Sequence, residues 1–214
     1  FFQVNPTCYA YEINYPIYSQ LKQIQSKAFS YLHLYSITLP PSLTTIFPKA
    51  FAGCIQLHDI IFMKNGFNIC SLLHIGNEAF RDTCISSIKI PSSVKEIGLL
   101  CFPKSLATIE FEDGCPNLEK LGDNTFNSTS LVTINFPSHI LNYQNCKTLF
   151  YKCKALKHIT FDHSSDVKHI SSLQDIRNAN KQEYLMKSRI QIWNLFDISQ
   201  DLARSYLLSQ LNVP

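Results

Sequence analysis

The chain has 214 residues, 45% of them hydrophobic and only 16% charged, with 15 Phe and 10 Tyr, which is enough apolar material for a continuous core and excludes a disordered chain. A net charge of +3, with the lysines spread out, makes a poor footprint for nucleic acid. No apolar run reaches the roughly 18 to 20 residues of a membrane span, and no basic start followed by an apolar stretch marks a signal peptide, although Phe1 in place of Met leaves the start of the natural chain open.

Residues 1–20 carry no full repeat and are expected to form an N-terminal cap or an incomplete repeat. From residue 21 two modules alternate. One is (Leu/Val)-x-x-(Ile/Leu) with Phe five residues later, at Leu21/Ile24/Phe29, Leu43/Ile46/Phe51, Leu72/Ile75/Phe80, Val94/Ile97/Phe102 and Leu118/Leu121/Phe126. The other is Leu-x-x-Ile-x-(Leu/Ile/Phe), with Ile once in place of Leu, at Leu34/Ile37/Leu39, Leu57/Ile60/Phe62, Ile85/Ile88/Ile90, Leu106/Ile109/Phe111, Leu131/Ile134/Phe136 and Leu156/Ile159/Phe161. Its last two apolar positions alternate, as a strand with one buried face requires.

From Phe29 to Phe150 the steps between repeat phenylalanines are 22, 29, 22, 24 and 24 residues, within the range of leucine-rich repeats. The spacing predicts a stacked, buried Phe column. Ala28, Ala50, Ala79, Cys101 and Thr125 precede the Phe, small residues where neighbouring coils are expected to meet closely. Pro40, Pro91 and Pro137 follow the last apolar residue of a strand and mark its end. The long step contains an insertion, 63–71, that must bulge from the array, and insertions on repeat proteins are favoured places for recognition.

The pattern weakens where Asn142 and Asn145 stand at the apolar positions before Phe150, and Asp175 takes the place of the next Phe. Residues 175–214 turn to helix formers, with Asp197 and Gln200 compatible with a capping box, and are expected to form two short helices covering the end of the core or docking a partner. The domain order is thus 1–20, repeats 21–174, and a helical segment 175–214.

The string Ile75-Gly76-Asn77-Glu78-Ala79-Phe80, followed by Ile88-Lys89-Ile90-Pro91-Ser92-Ser93-Val94-Lys95-Glu96-Ile97-Gly98, resembles the BspA-like leucine-rich repeats, the Treponema-pallidum type. The resemblance extends over about 21 to 170. It implies an α/β repeat architecture, a right-handed solenoid with a concave parallel sheet, here followed by the short C-terminal helical cap. It also implies adhesion or protein binding, since the family includes bacterial adhesins and expanded sets of protist proteins, many of them surface antigens, and it brings no catalytic residues.

Residues between and before the buried pair of each concave strand must face solvent. They form two columns: Thr38, Ile61, Lys89, Glu110, Asn135, Thr160, and Ser36, Asp59, Ser87, Thr108, Thr133, His158. Six strands about 4.8 Å apart make a face roughly 24 Å across, and its mixed charge suits a protein surface. The partner-binding residues expected are Asp59, Ile61, Lys89, Glu110, Asn135 and His158, with Lys64 and Phe67 of the insertion as the competing site.

Other chemistry reads more plainly. The eight cysteines include no Cys-x-x-Cys pair. Cys54, Cys84, Cys101 and Cys153 are repeat-phased, as buried apolar residues would be, which favours a reducing compartment. Asp162, His163, Asp166 and His169 are the one short-spaced cluster of metal-ligand types, better read as a polar connection. Asn127-Ser128-Thr129 matches a glycosylation sequon. No nucleophile motif or phosphate-cradling glycine loop occurs, so no cofactor is expected. The expected function is a non-enzymatic protein-interaction scaffold with a protein partner, intracellular within a cytoskeletal or other large assembly. The alternatives are a cell-surface adhesin or surface antigen, and, least favoured, a metal-dependent enzyme.

Overall fold

A computed structural model describes residues 2–5, 10–140 and 149–161. They lie in a compact unit spanning Phe1–Leu173; a second unit, Gln174–Pro214, falls outside the described residues, as does the helical segment anticipated over 175–214. The chain winds through coils that each repeat the same cross-section. A longer strand forms one face: β2 (Ala10–Asn14), β4 (Leu34–Leu39), β6 (Asp59–Phe62), β8 (Ser87–Ile90), β10 (Thr108–Phe111), β12 (Thr133–Phe136) and β13 (His158–Phe161). A two-residue strand forms a second face: β3 (Gln23–Ile24), β5 (Thr45–Ile46), β7 (His74–Ile75), β9 (Glu96–Ile97) and β11 (Lys120–Leu121). These short strands pair in parallel, one coil to the next, as one five-stranded sheet.

The second coil shows why the sequence closes this way. Leu34, Ile37, Leu39, Leu43, Ile46, Ala50 and Phe51 are each 1% exposed or less, so both modules turn their apolar positions into one core shared with adjoining coils. β4, β8 and β12 end directly before Pro40, Pro91 and Pro137. At the start of the chain β1 (Phe2–Asn5) runs antiparallel on β2, and β2 pairs in parallel with β4, Ile13 opposite Ile37.

The repeat phenylalanines stack. Ring centroids are 5.2 Å apart for Phe29–Phe51, 5.7 Å for Phe51–Phe80, 6.3 Å for Phe80–Phe102, 5.4 Å for Phe102–Phe126 and 5.3 Å for Phe126–Phe150. Phe51, Phe80, Phe102, Phe126 and Phe150 are buried; Phe29, in the first coil, is partly covered. Phe150 joins the column although its upstream apolar pair is missing.

Two expectations need correction. The α/β description anticipates helices on the side away from the long strands, yet the described coils carry short strands and turns there. The reason is backbone handedness. Lys27, Lys49, Glu78, Leu100 and Asn124, two residues before the Phe, have positive φ, as do Tyr31, Gly53, Asp82, Ser128 and Lys152, two residues after most of them. No right-handed helix passes through such residues. Their cost is offset by hydrogen bonds to the next coil: the amides of Lys49, Phe51 and Gly53 donate to the carbonyls of Asn77, Ala79 and Arg81, each at 2.9 Å. The Phe corner is therefore a third ladder between coils, and αL is the conformation that aims its N–H groups along the stack.

The long-strand face is also not one continuous ladder. β1-β2-β4-β6, β8-β10 and β12-β13 form separate hydrogen-bonded panels. The first break falls where the insertion 63–71 leaves β6. The second lies between β10 and β12, where a small cleft of about 100 Å³ opens beside Glu110 and Asn135.

Candidate protein-interaction face

Within each of the three panels the expected columns are in register. Thr38 stands opposite Ile61, Lys89 opposite Glu110, and Asn135 opposite Thr160; Ser36 opposes Asp59, Ser87 opposes Thr108, and Thr133 opposes His158. β2 extends both columns by Asn14 and Glu12. Asp59, Lys89, Glu110 and Asn135 are exposed, and Ile61 is 54% exposed. His158 is placed in β13 opposite Thr133, and its side chain lies outside the described residues.

Charge on this face is organised in pairs. Lys89 Nζ lies 2.7 Å from Glu110 Oε1 and 3.9 Å from Glu112 Oε1. The hydrogen bond from Lys89 to Glu110 holds the lysine charged to higher pH than usual. Both members are more than half exposed, so the pair shapes the surface potential more than it stabilises the fold.

Aromatic and aliphatic groups collect on the other half of the face. The Tyr35 ring on β4 lies 5.1 Å from that of His58, which directly precedes β6, and Tyr11, Tyr35 and Ile61 are all exposed. The first three coils thus offer an aromatic and apolar surface, and the next two a charged one.

Lys64, expected with Phe67 in the competing site, is tied down: its Nζ sits 2.6 Å from Glu112 Oε1. Glu112 is buried, and its second oxygen accepts the Ser92 amide at 3.3 Å. Burial pushes its carboxyl up, but the hydrogen bonds from Lys64 and Ser92 and the charges of Lys64 and Lys89 outweigh it, leaving the pKa lower than usual. Phe67, by contrast, is 86% exposed at the tip of the insertion. Sequence spacing located the bulge; nothing in it pointed to Glu112.

The short-strand face carries a groove lined by His74, Glu96 and Lys120 on one side and Asn77, Leu99 and Asp123 on the other. Its floor is Gly76, Gly98 and Gly122, one per coil. A Cβ on Gly76 would stand 2.6 Å from the Pro48 nitrogen, and one on Gly98 or Gly122 would collide with the backbone of Asn77 or Leu99. The groove is the trace of coils packed backbone to backbone, and its His74–Glu96 wall is already paired at 3.6 Å.

Cys54, Cys70, Cys101 and Cys115 are buried and unbonded to one another, Cys84 and Cys153 partly exposed. The Cys54 thiol donates to the Phe29 carbonyl at 2.8 Å. Burial raises the Cys101 pKa to about 12. Among the described residues no group of three or more His, Cys, Asp or Glu gathers to hold a metal, and no helix is long and apolar enough to cross a membrane. The cluster of Asp162, His163, Asp166 and His169 lies outside the described residues.

Parallel strands on two faces, a stacked Phe column and glycine-floored contacts define a leucine-rich-repeat β-solenoid. The BspA type leucine rich repeat region matches residues 7–72 and 73–185 in six copies, and the chain belongs to that family. Three solved structures share the fold. A leucine-rich repeat protein from Bacteroides ovatus is 28% identical with a TM-score of 0.51, covering 66% of this chain and 41% of its own. The T. pallidum leucine rich repeat protein is 21% identical with a TM-score of 0.57, covering 75% and 78%. The pneumococcal vaccine antigen PcpA is 24% identical with a TM-score of 0.62, covering 77% and 43%. The chain therefore spans less than half the length of the first and third. No curated protein matches it significantly.

Proposed function

We propose that the chain is a non-enzymatic protein-recognition module whose long-strand face, through Asp59, Ile61, Lys89, Glu110, Asn135 and His158, binds another protein. The observation that carries this reading is the exposed Ile61 beside Asp59, next to the exposed Lys89–Glu110 pair, on a backbone held by a closed core. Apolar area with charge at its border is the composition of a protein interface, whereas phosphate binding needs a surplus of unpaired cations. In this reading 21–174 is the recognition body and 1–20 closes its first coil. The β1–β2 pairing supports the second point.

The relative named as a vaccine antigen favours display at a cell surface over the intracellular assembly anticipated from the cysteines. The test is the charge reversal Glu110→Lys, at a side chain more than half exposed, which leaves Lys89 beside Glu112 while changing the charge pattern a partner reads. Partner capture should fall while the thermal midpoint stays in place; unchanged capture removes this face from recognition.

A further inference from the structure

The insertion that follows β6 is built rather than loose. Asn65 Oδ1 accepts the amides of Phe67 and Ile69, both at 3.0 Å, and the Asn65 amide donates to the Ile69 carbonyl at 2.9 Å. Asn68 closes the turn in the left-handed conformation, its amide donating to the Asn65 carbonyl at 2.9 Å. The base is held on both sides: Lys64 by buried Glu112, and Ser71 by a hydrogen bond to the Pro41 carbonyl. Cys70 is buried beneath it. At the tip of this braced loop Phe67 is 86% and Ile69 53% exposed. A large aromatic left in water on a backbone already fixed has paid its ordering entropy before any contact is made.

We propose that Phe67, with Ile69 beside it, is a preformed anchor that enters an apolar pocket on the protein bound by the long-strand face. The inference rests on the reading of that face as a recognition surface and adds where the affinity lies. A protein pocket suits the tip better than a lipid surface. Lys64 is committed to Glu112, and the shoulders of the tip are the neutral Asn65 and Asn68, whereas a loop entering a membrane gains from a collar of free cations. A lone exposed ring with neutral polar shoulders matches a desolvated hot spot ringed by contacts that exclude water.

The test uses the full chain carrying the photo-cross-linker benzoylphenylalanine at position 61 or position 67, irradiated with the cells or secretions that contain it naturally. The expected result is one and the same protein joined to both positions. Adding Phe67→Ala to the position-61 variant should cut its adduct about tenfold or more, as loss of a central aromatic does. Asn65→Ala, which leaves the ring but frees the loop, should weaken capture by less. A position-61 adduct that Phe67→Ala leaves unchanged overturns the anchor while the face reading stands. An adduct from position 67 alone overturns the face reading and, with it, the anchor as a part of that face. Binding of the unmodified chain to vesicles of phosphatidylcholine and phosphatidylserine, abolished by Phe67→Ala, overturns the protein pocket in favour of a membrane.

Discussion

Lys64 in the insertion of the third coil reaches past the fourth to Glu112 of the fifth, with Nζ 2.6 Å from Oε1. This contact braces the loop, and it is electrostatic. The Glu112 carboxyl titrates below its usual range in the fold, so its contribution is present above the pKa of the unfolded chain and is lost as pH falls through the lower folded value. Amide exchange of residues 65–69, corrected for intrinsic rates, should therefore quicken as solution pH is lowered past the carboxylate range. Glu112→Gln should give about tenfold faster exchange at neutral pH. Equal protection in wild type and variant would show that the loop is held without the ion pair, by its own hydrogen bonds and that of Ser71.

The Phe column makes a prediction about stability. Phe80 is fully buried between Phe51 and Phe102, and truncation to Ala should cost about 3 to 5 kcal/mol in denaturant unfolding. Phe29→Ala should cost less, because Phe29 is only partly covered and has a repeat Phe on one side alone. Equal losses at both positions would contradict a column whose first ring is only partly covered.

Glycine spacing gives a matched pair of variants. A Cβ at Gly98 meets the Asn77 backbone, whereas one at Gly66 meets nothing within 4 Å. Gly98→Ala should destabilise by about 1 to 3 kcal/mol, the usual cost of forcing extra volume into a packed contact. Gly66→Ala should stay within about 0.5 kcal/mol. Melting curves of the two proteins side by side decide it.

Thiol chemistry provides a fourth check. Burial holds Cys101 and Cys115 near a pKa of about 12, and the thiolate is the reactive form. In the native protein at neutral pH a maleimide or disulfide reagent should label partly exposed Cys84 well before Cys101 or Cys115, and all six cysteines among the described residues should react in denaturant. Rapid native labelling of Cys101 would mean that the coils do not close as described.

Much of the coil was legible in the order of residues. Leu34, Ile37, Leu39, Leu43, Ile46 and Phe51 recur at set spacings because only apolar side chains tolerate the core, so their positions announce which face is inside. The register of Lys89 with Glu110 follows from the same phase. The short strand was hidden: two residues such as His74-Ile75 are too few for alternation to show. The glycine floor carried a weak signal, three of six glycines one residue after the second apolar position, but the missing Cβ has meaning only against a neighbouring backbone.

By itself the sequence determined the coil, its phase, the Phe column, the strand ends at Pro40, Pro91 and Pro137, and the place of the insertion, because each is a matter of apolar spacing or of a residue that cannot donate a hydrogen bond. Tertiary structure alone decided the rest. The left-handed corners at Lys49 and Glu78, the break between β10 and β12, and the bond from Lys64 to Glu112 depend on backbone amides and charges of one coil finding those of another. Backbone groups are the same in every residue, and an ion pair between distant coils leaves no period in the chain.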